Sequence, residues 1–84
     1  MSKKKTPAPT AQPEDIEIGR AIASYFKMLP PELKIMRTSN SVGFYLMQHA
    51  WAHFLLSILT HKHGDNAFEL FIEVLVELGF VESK

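Results

Sequence analysis

Residues 42–59 are 18 consecutive positions without Asp, Glu, Lys or Arg, in a chain of 84. That length sits at the lower limit for crossing a bilayer. Gln48, His49 and His53 lie near its middle, where each is costly in lipid, and the segment that follows is amphipathic and acidic, as in a soluble bundle. Membrane spanning is therefore disfavoured, and the run is expected to be a helix buried from more than one side.

At about 100° per residue, Phe44, Met47, Trp51, Phe54, Leu55 and Ile58 fall on one broad side, the expected core face. The reverse side holds Val42, Tyr45, Leu46, His49, Ala52, His53, Leu56 and Thr60, half apolar with a polar seam. A solvated helix carries charge on that side. Its absence predicts a second buried contact, supplied by the bundle or by another protein.

Proline and glycine set the other boundaries. Pro13 suits the first position of a helix, and Glu14 and Asp15 complement its positive end. A first helix over 13–29 carries the stripe Ile18, Ile22, Tyr25, Phe26 and Leu29, has a small-residue strip at Gly19 and Ala23, and is stopped by Pro30. Pro31 restarts a short helical turn over 31–37, with Leu33 and Met36 facing inward. Asn40 or Ser41 caps the long helix, placed over 42–61, and Gly64 allows its end. The last helix runs over 65–79 from an Asn66/Glu69 capping box to Gly79, where Phe80 folds back on Leu75 or Val76. Residues 1–12, with three lysines among Pro, Ala and Thr, offer no apolar face and read as a disordered arm preceding a helical domain over 13–84. The fold class is all-α, a small bundle of three main helices plus the short turn.

A packed region of about 70 residues buries only roughly 60% of the surface its unfolded chain exposes. Hydrophobic residues make up 46% of this sequence, including six Phe, two Tyr and one Trp. The surplus apolar surface calls for a partner, most simply a second copy of the chain.

Charge and motifs narrow the function by exclusion. Nine basic and nine acidic residues cancel, so no net field gathers nucleic acid, and the start of the long helix offers packing side chains where a DNA-reading helix carries arginines and amides. Without cysteine there is no disulfide framework or thiolate site, and the residues after Lys5 are not the apolar stretch of a signal peptide, which makes the cytoplasm the default compartment. No phosphate loop, nucleophile elbow or calcium loop occurs.

His49 and His53, four apart, could share a metal, but Ala50 follows the first histidine where a zinc protease needs glutamate, and no spacing nominates a third ligand. No metal or cofactor is expected. Glu69, Glu73 and Glu77 form a row that is either solvated or a docking strip for a basic partner; one exposed row does not make an acid–base pair. The expectation is a non-catalytic protein-binding module, a regulator, adaptor or inhibitor acting as a homodimer. Its contact residues are Tyr45, Leu46, His49, His53 and Leu56, with Glu69, Glu73 and Glu77 beside them. The alternatives are a histidine-based metal or pH sensor and a DNA-binding accessory protein.

Overall fold

The computed structural model describes residues 11–83. They form four α-helices, α1 (Pro13–Tyr25), α2 (Ser39–Gln48), α3 (Ala50–His63) and α4 (Ala67–Leu78), with a 3-10 turn at Gly64–Asn66. Helices α1, α3 and α4 pack on one another as a three-helix bundle, and α2 lies mainly against α3. The all-helical bundle read from the sequence is the fold observed, and the only extended pairing among the described residues is one parallel bridge between Ile35 and Val81. Most of the expected arm lies outside the described residues; of its last two, Ala11 packs partly against the core and the Gln12 carbonyl accepts from the Ile16 N–H.

Helix α1 ends at Tyr25 rather than near 29. Two consecutive prolines at 30 and 31 force the residues before them out of helical geometry, so the helix closes early. It does so through a double bond pattern, with the Met28 N–H on the Ala23 carbonyl and the Lys27 N–H on Ser24. Lys27 occupies the left-handed position of this cap at φ 58°, where glycine is the usual residue. Tyr25 and Leu29, expected inside, are exposed as a result. The small-residue strip does work as a contact: Gly19 is buried, and a Cβ added there would stand 2.6 Å from Val74 Cγ1 and 3.1 Å from Leu78 Cδ1.

The helical turn expected over 31–37 is absent. Those residues are irregular, bent at Glu32, Leu33 and Arg37, with the Ile35 N–H bonded to the Phe80 carbonyl and the Ile35 carbonyl accepting from the Glu82 N–H. A seven-residue helix is marginal in water, while this pairing satisfies two backbone groups and tucks Ile35 against the core. Leu33 and Met36 face solvent, at 88% and 58% exposure. Arg37 ends the segment in an ion pair with Glu73 of α4.

The long helix expected over 42–61 is two helices. His49 is extended at φ −133° and ψ 116°, and α2 is bent by 117° from the helical run Ala50–Leu78. Neither Gly nor Pro occurs at positions 48–50, so the cause is tertiary. The bend turns Val42, from the side opposite the expected core face, to complete burial beside Trp51 and Ala52. Burying a valine is worth about 1.5–3 kcal/mol, against roughly 0.5–1.5 kcal/mol for an interrupted helical hydrogen bond, so burial wins. The wheel is thereby divided: Trp51 and Leu55 are in the core, but Phe44, Met47 and Phe54 from the same stripe are 66%, 76% and 52% exposed. Thr38, not Asn40 or Ser41, caps α2, its hydroxyl accepting from the Ser41 N–H at 3.1 Å.

Helix α4 ends as the sequence implies. Gly79 is left-handed at φ 92°, its N–H meets the Val76 carbonyl, and the Phe80 N–H meets Leu75. Phe80 is thereby buried, with its ring 4.9 Å from Trp51. The start differs, since Asn66 makes no side-chain cap and the 3-10 turn carries the chain into the helix.

Candidate interaction surface

The exposed large apolar side chains within or beside α2 and α3 are Leu33, Met36, Phe44, Met47 and Phe54. They belong to residues 33–64, which contain no Asp or Glu at all. Phe44, Met47 and Phe54 fall within five residues of the bend at His49. Their exposure follows from the register: α2 turns its Val42 side inward, which sends Phe44 and Met47 outward.

The residues expected at the interface are more occupied internally. The Tyr45 ring stacks on His49, with centroids 4.1 Å apart and planes at 30°, and meets Trp51 edge-on at 6.3 Å. Burial raises the Tyr45 phenol above its ordinary range, opposed by the neighbouring Trp51 indole. That indole N–H, fully buried, makes no hydrogen bond of normal geometry with the described residues. Leu46 and Leu56 are half-buried against the core, while His53 is exposed and lines a shallow depression of about 350 Å³ with Leu56, Thr60 and His61. Glu69 and Glu77 are exposed; Glu73, between them, is held by Arg37 and is only partly accessible. The acidic row is thus divided by an internal ion pair. Among the described residues, no three His, Asp or Glu side chains converge where a metal ion could be held.

One polar cluster was not legible as such. Asp15, completely buried near the N-terminus of α1, accepts from Lys62 Nζ at 3.0 Å on one carboxylate oxygen and from His63 Nε2 at 3.0 Å on the other. Glu14 also accepts from Lys62, at 2.8 Å. An ionised carboxylate only accepts, so His63 presents Nε2–H to it. Desolvation pushes the Asp15 pKa up, but the hydrogen bonds and charge of Lys62 and His63 outweigh it and hold the group below its ordinary 3.8. Glu14 and Asp15 in turn raise the Lys62 ammonium above 10.5. The cluster ties the positive end of α1 to the negative end of α3, and each charge also complements its own helix dipole. Asp15 and Lys62 were each readable as helix-end charges; that they meet across 47 residues was not.

No helix among the described residues is long and apolar enough to cross a membrane alone; α2 and the run Ala50–Leu78 meet the length and composition requirement only together, across the bend. No protein-family model, curated protein or solved structure matches this chain.

Proposed function

We propose that the protein is a non-catalytic protein-binding module that works as a homodimer through the apolar surface around the α2–α3 bend. The observation carrying this reading is the exposure of Phe44, Met47 and Phe54 beside a segment without carboxylates. Surface clusters of large apolar residues mark association sites. In a two-fold contact the same patch of each copy faces the other, so a patch of one charge sign repels itself and an uncharged one does not. Tyr45, Leu46, His49, His53 and Leu56 border this patch and would form its edge, with the half-buried imidazole and phenol supplying polar contacts.

Light scattering at micromolar concentration is expected to give twice the 9.5 kDa chain mass. Phe44→Ser with Met47→Ser is expected to return the protein to a monomer with its helical circular dichroism retained, because both side chains are already largely in water in the single chain. A wild-type monomer over the whole concentration range defeats the reading.

A further inference from the structure

We infer that the bend at His49 is a hinge, and that in the dimer α2 and α3 join into one continuous helix so that everything before the hinge packs on α3 and α4 of the second copy. This rests on the homodimer reading above and adds a geometry to it.

Three observations converge on the hinge. Nothing local encodes the bend: Gln48, His49 and Ala50 include no helix breaker, and Gln and Ala are good helix formers. The backbone bonds at the break are long, His49 N–H to Leu46 at 3.4 Å and His53 N–H to His49 at 3.4 Å, so what maintains it is the burial of the Val42 side of α2. The apolar stripe, finally, runs straight through the break. In a continuous helix of about 25 residues and roughly 37 Å, Phe44, Met47 and Phe54 return to one face, within an arc of about 80°.

The occupant of that face is a second copy because the exchange re-forms between chains the packing of α1 and α2 on α3 and α4. Val42 re-enters an identical core, Asp15 meets the partner copy's equivalents of Lys62 and His63, and the Ile35–Val81 and Arg37–Glu73 pairings re-form between chains. What is gained is the uninterrupted helical hydrogen bonding across 48–50 and cover for Phe44, Met47 and Phe54, which flank the hinge where two such helices run past one another. Those three side chains offer on the order of 300–400 Å² per copy, about half of the roughly 800 Å² that each partner contributes to a standard interface. The bundle contacts exchanged between chains supply the remainder.

Ala50→Pro separates the hinge from a dimer of bent chains. In the bent form residue 50 opens α3, where proline is favoured, and His49 already has the extended conformation that a residue before proline prefers. In a continuous helix the same proline removes a hydrogen bond and clashes with the preceding turn. The expected result is a monomer that retains its helical content and melts at a temperature independent of protein concentration, with the dimer dissociation constant raised more than a hundredfold. Retention of wild-type dimer affinity by Ala50→Pro overturns the hinge while leaving the homodimer reading intact; a wild-type monomer overturns both.

A second measurement decides the matter even if the proline variant fails to fold. The chain has no cysteine, so Ile35→Cys with Val81→Cys, oxidised in the isolated dimer fraction, reports which chains are paired at the bridge. Covalent dimers are expected, and cross-links confined to single chains overturn the exchange. Binding of the wild type to lipid vesicles as a monomer, with no dimer in vesicle-free buffer, would make a bilayer the occupant and also overturn it.

Discussion

Asp15 is the one buried charged side chain among the described residues. Its carboxylate is fully buried yet stays ionised because Lys62 and His63 donate to it. Asp15→Asn keeps the size but removes the charge, and is expected to cost about 2 kcal/mol near neutral pH, the scale of hydrogen bonds to a charged group. Because the folded-state pKa is depressed, this stabilisation is complete above the ordinary value of 3.8 and is lost as pH falls through the lower folded value. Thermal unfolding of wild type and Asp15→Asn should therefore differ most at neutral pH, and the difference should shrink as pH falls below 3.8 through the lower folded value. A difference that does not shrink with falling pH would remove the ionised carboxylate as the cause. Two backbone positions have opposite expected signs. Gly19→Ala places a methyl 2.6 Å from Val74 Cγ1 and should cost about 1–3 kcal/mol despite alanine's better helix propensity. Lys27→Gly relieves a left-handed lysine at φ 58° and should add about 0.5–1 kcal/mol, both readable in denaturant unfolding.

At the scale of elements, α2 is the least anchored helix. It has ten residues, packs mainly on α3, and is held at its start by the Thr38 side chain. Thr38→Ala should remove about 1 kcal/mol, the worth of an N-cap. The loss should show first as faster amide hydrogen exchange confined to residues 39–48; uniform acceleration across α3 and α4 would mean that α2 opens only with the whole molecule. The irregular segment between α1 and α2 is fastened at two points, the Ile35–Val81 bridge and the Arg37–Glu73 pair. It therefore closes the bundle near the C-terminal ends of α1 and α4, where a short helix had been expected.

For the whole molecule, association and stability are one equilibrium. If two chains cover Phe44, Met47 and Phe54 together, the melting temperature must rise with protein concentration, since dimerisation stabilises the folded state by mass action. A rise over a hundredfold concentration range is expected for the wild type and should vanish in the Phe44→Ser, Met47→Ser variant. A concentration-independent midpoint in both would leave the exposed stripe without a role in self-association. The excess of apolar surface was visible in composition alone, but its location was not.

Local chemistry in the sequence determined the three main helical regions and how α4 ends: prolines at 13 and 30, glycine at 79 and the 3.6-residue periodicity act over a few neighbours and survive into the fold. The close approach at Gly19 was legible for the same reason, since only a small residue permits it. Tertiary structure decided everything that weighs one burial against another. The helical wheel assumed a continuous axis through His49, but burying Val42 outweighed continuity and reversed the exposure of Phe44 and Met47. Pairing with Phe80–Glu82, distant in sequence, outweighed the helical preference of 31–37, and the Asp15, Lys62 and His63 cluster exists only because α1 returns antiparallel to α3. Each outcome is set by contacts between residues about 40 or more positions apart, or by a bend no local residue requires, which one-dimensional periodicity does not encode.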